Sequence, residues 1–314
     1  MLNLSSLAEL PADFADTAVT IGKFDGIHLG HQALIARAVE LAEEHLLASV
    51  VLTFDRHPDA LLNPEQCKLP LIGPAQKAIL IAEQGVDATV TLDFDEALAA
   101  MSPAEFAKVI LVDALKAKVV VVGEGFRFGN RGSGTVETLR ELGQVHGFRV
   151  SVLPVVSIGG EVVSTTRIRE LLDMGKVVAA SALLGRNHIT TGAIEHGLKI
   201  GRTIGFPTAN MSRDCEGYLP LDGVYAGWLY VDDQKLPAAH SVGTNETFQA
   251  VPRLVESFVI DRTGLDLYDK TVTLEYVEFI RPAAKFDGVD SLVAEINRDI
   301  VKIREVLEIK KGEN

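Results

Sequence analysis

The chain has 314 residues, 47% hydrophobic and 23% charged, a mixture that supports folded cores and excludes a disordered or fibrous polypeptide. That length exceeds what one core usually serves, so two domains are expected. The formal charge of −13 at pH 7 opposes broad binding to nucleic acid or acidic membrane, and any small anionic ligand must be met by local basic groups.

Residues 1–15 carry acids and no basic stretch followed by an apolar run, and no apolar run is long enough to span a bilayer, so a cytoplasmic protein without a membrane or nucleic-acid partner is expected. From 17 to 154, short apolar runs (TAVTIG, ASVVLTF, ATVTLDF, KVVVVG, FRVSVLP) alternate with amphipathic stretches over 30–45, 74–84, 103–116 and 135–146. This is a repeated β-α pattern, and the run over 118–123, apolar without alternation, suits a parallel strand buried on both faces of an α/β doubly wound sheet. After Arg186 the period becomes two: 223–231, 239–243, 253–261 and 270–280 read as strands of an antiparallel β-barrel, and 289–309 as a C-terminal helix packed on it. The expected domains are therefore 1–186 and 187–314. Cys67 and Cys215 stand far apart, outside any CxxC or Cys/His spacing, and read as free thiols.

The first strand runs into GKFDGIHLGH. His28 and His31 fall three apart at a helix start and share a face, while Gly22, Gly26 and Gly30 let the backbone approach a ligand. The crevice of an open parallel sheet lies at the carboxyl ends of its strands, where a helix N-terminus favours phosphate. Two imidazoles there suit charge growing on the α-phosphate of ATP during nucleotidyl transfer; a zinc site is disfavoured because no further ligand has suitable spacing. In VSTTRIRELL, Ser164, Thr165 and Thr166 can cap a helix or hold phosphate oxygens, with Arg167 and Arg169 supplying charge. GEGFRFG places Gly125, Phe126, Arg127 and Phe128 after the fourth strand, where the aromatics either receive a flat ring or belong to the core. TFDRHP ends the second strand with His57, which lines the site or makes a turn.

These four segments, in their order along the chain, resemble the adenylyltransferase module of the prokaryotic bifunctional riboflavin kinase/FMN adenylyltransferase family, also called FAD synthetase, and the likeness extends over both halves. It implies a nucleotidyltransferase-like first domain in which Phe24 and Asp25 join the three glycines, Ser164, Thr165, Thr166 and Arg169 around ATP, with His57, Gly125, Phe126 and Phe128 toward the flavin. It further implies a riboflavin kinase-like barrel, ATP and Mg²⁺ as requirements, and riboflavin, FMN and FAD as substrates and products.

GRTIGFPTAN resembles the family's kinase signature. Read on its own chemistry, Gly201 and Gly205 free a loop, Pro207 fixes a turn, and Thr208 and Asn210 offer oxygen ligands to a hard ion such as Mg²⁺. Along RLVESFVID, alternation puts Glu256 on the face of Leu254, Phe258 and Ile260, where a partly desolvated carboxylate gains a raised pKa suited to a general base for the riboflavin 5′-hydroxyl; it is equally compatible with a paired carboxylate at the barrel mouth. The family resemblance assigns the matching glutamate the base role. No GxxxxGK[ST] segment is present, so phosphates fall to other loops, with Lys199 and Arg202 nearby. Glu246, Gly125, Arg56, Thr165 and Asp269 depart from the family pattern, and two further readings stand beside the bifunctional one: an adenylyltransferase with an impaired kinase domain, and a non-catalytic flavin-binding regulator.

Overall fold

In the computed structural model, the described residues are 1–196, 201, 204–243, 253–262 and 264–310. Six strands form one wholly parallel sheet: β1 Leu2–Leu4, β2 Thr17–Ile21, β3 Ala48–Phe54, β4 Ala88–Leu92, β5 Ala117–Gly123 and β6 Arg149–Leu153, ordered β1-β4-β3-β2-β5-β6. The missing alternation in β5 has a direct cause: Val119 and Val121 pack on one face with Ala38, Leu41 and Ala42, whereas Val120 and Val122 pack on the other with Ile110, Leu111 and Leu139. Both layers of helix therefore need apolar side chains from the same strand. The chain steps outward from β2 through β3 to β4, then returns to β5 on the other side of β2, which makes the carboxyl end of β2 the topological switch point.

Helices α1 Leu29–His45, α2 Asp59–Leu62, α3 Pro74–Ala82, α4 Glu96–Ala100, α5 Pro103–Glu105 and α6 Val136–His146 punctuate these strands. The stretch expected as one helix over 103–116 is α5 continued by a π-helix, Phe106–Ala114, whose Phe106, Ala107, Ile110 and Leu111 are buried. The three-residue β1 on the sheet edge has no counterpart in the sequence reading.

Two compact units divide the chain, Met1–Ser164 and Thr165–Asn314. The second opens with α7 Thr165–Asp173 and α8 Val177–Leu184, tied to the loop before the barrel's longest hairpin when Leu221 N–H donates to Leu172 O and the Tyr218 hydroxyl to Asp173. Six antiparallel strands follow: β9 His188–Glu195, β10 Thr208–Met211, β11 Gly223–Val231, β12 Gln234–Gly243, β13 Leu254–Val259 and β14 Thr271–Pro282. They close in the order β10-β13-β12-β11-β14-β9, so the expected barrel is present with two strands more than period two revealed.

The barrel lumen is filled rather than open. Tyr225, Tyr276, His188, Thr190, His240 and Ser257 are all buried there. Their polar atoms pair across strands, Tyr276 Oη with Thr190 Oγ1 at 3.0 Å and His240 Nδ1 with Ser257 Oγ at 2.8 Å. Burial pushes both imidazoles down to about 4, so they remain neutral packing elements at physiological pH. The outer wall carries a second core in which Val224, Ala226, Phe258 and Ile260 receive Ile300, Ile303 and Leu307. Those last three lie along or just beyond the C-terminal helix α9, Val289–Val306, and Arg281 locks that helix down with 3.0 Å bonds from Nε to both oxygens of the buried Asp299.

Candidate active sites

At the switch point, the turn after β2 is built from the inside. Phe24 and Ile27 occupy the left-handed region (φ 49° and 40°) beside Gly26 (φ 88°), and both side chains are fully buried, so packing offsets the strain of the turn. The Asp25 carboxylate accepts from Leu71 N at 2.7 Å and Ile72 N at 3.4 Å, which braces the turn against the segment entering α3. Two glycines sit where a side chain would crowd its neighbours: a Cβ on Gly22 would lie 3.3 Å from the Phe24 ring, and one on Gly30 3.1 Å from His28 Cε1. The Gly26, Gly22 and Gly30 positions are thus fixed by turn shape and by the rings they accommodate.

His28 is the N-cap of α1, and its Nδ1 accepts from His31 N at 3.3 Å. A nitrogen that accepts carries no proton, so the neutral His28 ring holds its proton on Nε2 and can donate from there. The two imidazoles stack with centroids 3.6 Å apart, and Phe24 meets His31 edge-on at 5.3 Å. Burial, His28, Lys23 and Lys77 hold His31 well below the usual imidazole range, and its buried Nδ1 has no hydrogen-bond partner among the described residues. His31 therefore offers hydrogen bonding rather than positive charge near neutral pH.

His57 sits at the end of β3 with Nε2 2.7 Å from Lys23 Nζ and Nδ1 3.3 Å from the Asp59 carboxylate. Arg56 pairs with Asp55 at 2.7 Å. Of the aromatic pair after β5, Phe128 is buried in the core against Phe106, while Phe126 stacks on it and stays partly exposed beside an exposed Gly125. Ser164 ends the first unit; Thr165, Thr166 and Arg169 stand on α7 of the second, with Thr166 exposed and Arg169 buried.

In the barrel unit, Asn210 of β10 lies directly opposite Glu256 of β13 and, on its other side, Glu195 of β9. Thr208 Oγ1 donates to Glu256 Oε2 at 3.3 Å. The expected face is present: Glu256 projects from the outer wall with Phe258, and a cleft of about 610 Å³ opens there, lined also by Val224, Ser241, Arg281 and, from α9, Ile296. Burial pushes the Glu256 carboxyl above its ordinary range, opposed by the Thr208 hydroxyl. The oxygens of Thr208, Asn210 and Glu256 form a hard donor set on adjacent strands, which suits magnesium rather than a soft metal. Gly201 closes the loop ahead of β10: its carbonyl accepts from Phe206 N at 2.8 Å, and a Cβ would lie 2.2 Å from Phe206 O. Asp269, where the family commonly has glycine, is itself left-handed at φ 60°, which accounts for that preference. Lys199, Arg202 and Glu246 lie outside the described residues.

Sequence reading did not single out Lys23, Lys77, Glu195 or the Arg281–Asp299 pair. For Lys77 a signal existed, because it stands three and four residues before Leu80 and Ile81, on the buried side of α3.

A doubly wound sheet with a histidine turn at its switch point, together with a closed barrel bearing an acid beside Thr208 and Asn210, defines a two-domain transferase. Family models agree in both halves: FAD synthetase matches residues 10–167 and riboflavin kinase residues 184–307. Curated bifunctional riboflavin kinase/FMN adenylyltransferases align along most of the chain. That of Listeria monocytogenes is 34% identical over 90% of this chain and 89% of its own length. That of Pseudomonas fluorescens is 33% identical over 95% of each, and that of Escherichia coli K12 is 31% identical over 98% of this chain and 97% of its own. A solved structure described as a macrolide-efflux protein from Streptococcus pneumoniae superposes with a TM-score of 0.86 at 33% identity, covering 96% of this chain and 98% of that one. Among the described residues no helix is long and apolar enough to cross a membrane. The chain belongs to the bifunctional riboflavin kinase/FMN adenylyltransferase family.

Proposed function

We propose that this chain is a cytoplasmic enzyme that converts riboflavin to FMN on its barrel and FMN to FAD at its histidine turn, spending one ATP at each. The observation that carries the double assignment is the facing of Glu256 and Thr208 across β10 and β13 beside Asn210, because the turn alone would fit an adenylyltransferase of another specificity. Glu256 takes the proton of the riboflavin 5′-hydroxyl as that oxygen bonds to the γ-phosphorus and ADP leaves. Its raised proton affinity suits that transfer. Thr208 and Asn210 would hold magnesium, which supplies charge neutralisation to the phosphates when bound.

At the turn, a phosphate oxygen of FMN attacks the α-phosphorus of ATP, and the bond to the β-phosphate breaks to release pyrophosphate. His28 Nε2–H and His31 donate to the oxygens on which charge grows, and the Gly22, Gly26 and Gly30 backbone leaves room for the phosphates. By the family resemblance, Ser164, Thr165, Thr166 and Arg169 bind phosphate oxygens of ATP, and His57, Gly125 and Phe126 face the flavin. The family models end at 167 and begin at 184, which supports a functional boundary near 186.

Riboflavin, ATP and Mg²⁺ incubated with the chain should yield FMN, FAD and ADP on chromatography. FAD formed only when FMN is supplied leaves an adenylyltransferase alone, and bound flavin without product leaves a regulator.

A further inference from the structure

Two anionic substrates meet at the histidine turn, in a protein of formal charge −13. The His31 imidazole brings no charge there near neutral pH, since it is held well below its usual range. The fixed positive charge acting on His31 comes from Lys23 and Lys77. Lys23 is exposed and engages His57 at 2.7 Å. Lys77 is different. It rises from the first turn of α3, half-buried, and its ammonium donates to the carbonyl of Phe54, the last residue of β3, at 3.0 Å. An ammonium has three donors, and among the described residues this is the one hydrogen bond the Lys77 ammonium makes, with no carboxylate in ion-pair range. Asp25 and Asp55 act on it only at longer range, too weakly to offset burial, which pulls its proton affinity below that of an ordinary lysine.

A half-buried cation without a close counter-ion costs stability, and such sites occur where a ligand supplies the missing charge. We propose that Lys77 is a further phosphate-binding residue of the adenylyl-transfer reaction, its ammonium fixed by the Phe54 carbonyl so that its two remaining donors take a phosphate oxyanion. The anchoring carbonyl lies at the carboxyl end of the strand beside β2, the end at which the open sheet receives its ligand. The oxyanion belongs either to the ATP polyphosphate or to FMN. This inference rests on the adenylyl-transfer reading of the turn.

The test compares the full chain with Lys77→Met and Lys77→Arg. Lys77→Met should lower kcat/KM for FMN adenylylation about 10²- to 10³-fold, the range for losing one transition-state donor. Lys77→Arg, which keeps the charge, should recover at least tenfold of that loss. Riboflavin phosphorylation by the same preparations should stay within twofold. A polyphosphate contact raises the KM for ATP and weakens inhibition by inorganic pyrophosphate; an FMN contact raises the KM for FMN and leaves pyrophosphate inhibition unchanged. The thermal midpoint of the Met variant should hold or rise, because an unpaired buried charge has been removed. A lowered midpoint with both reactions depressed, or adenylylation within threefold of the parent, overturns the proposal. A parent chain that makes no FAD and whose pyrophosphate affinity is indifferent to Lys77→Met overturns the reading of the turn as well, whereas FAD formation unaffected by the substitution sinks only the lysine's role.

Discussion

Replacing Glu256 by Gln separates the two reactions and tests the cleft chemistry directly. The substitution keeps the side-chain shape, and the amide oxygen can still accept the Thr208 hydroxyl that now bonds the carboxylate at 3.3 Å. What disappears is a proton acceptor with raised affinity, and losing a positioned general base costs roughly 10²- to 10⁴-fold in rate. FMN formation should fall by that factor while FMN-to-FAD turnover holds, measured by chromatography on one preparation. Stability supplies an independent sign. Because the folded pKa of Glu256 is raised, its ionisation opposes folding: the penalty is absent below the unfolded pKa and grows to its full value as pH rises through the folded one. The Gln variant should therefore match the parent in acid and gain in thermal midpoint toward neutral pH. Fluorescence of Trp228, the single tryptophan, reports on it, since that ring packs against the barrel-helix core. A kinase rate within tenfold of the parent, or equal loss of both activities in a folded protein, refutes the argument.

His31→Ala should cut FMN adenylylation about 10²- to 10³-fold and spare FMN formation, assayed in the same mixtures; equal loss of both contradicts separate sites. Thr208→Val removes the bond that restrains the Glu256 pKa, so the acid limb of the kinase pH-rate profile should move to higher pH and the Mg²⁺ requirement should rise. An unmoved limb would dissociate Thr208 from the base. Arg281→Ala leaves the Asp299 carboxylate buried without its cation and should cost ~3–5 kcal/mol in urea unfolding followed through Trp228.

Much of this was legible because period and motif agree. β11 was delimited at Gly223–Val231 by alternation alone, and the five long parallel strands by apolar runs bounded by glycine, proline or charge. β10 reads as a turn, since four residues directly after Pro207 are too short to display alternation. β9 escapes the period-two pattern because its threonines and glycine imitate a loop, although Thr190 and Thr191 pair with side chains of the adjacent β14. The π-helix could not be told from an α-helix, as nine residues do not resolve the two periods. At the sites, His28, His31, Thr208, Asn210 and Glu256 announced themselves through residue types that apolar packing does not call for. Lys77 did not, because a lysine on an amphipathic helix reads as a solvated face until its burial is known.

The filled lumen of the barrel has a consequence for how this unit can change. Part of the cohesion resides inside, among interlocked tyrosines and histidines, while Glu256, the proposed base, stands outside on the wall under α9. Substitutions at cleft positions outside the two cores, such as Ser241, therefore leave the lumen packing in place, so substrate preference and turnover can drift without unravelling the scaffold.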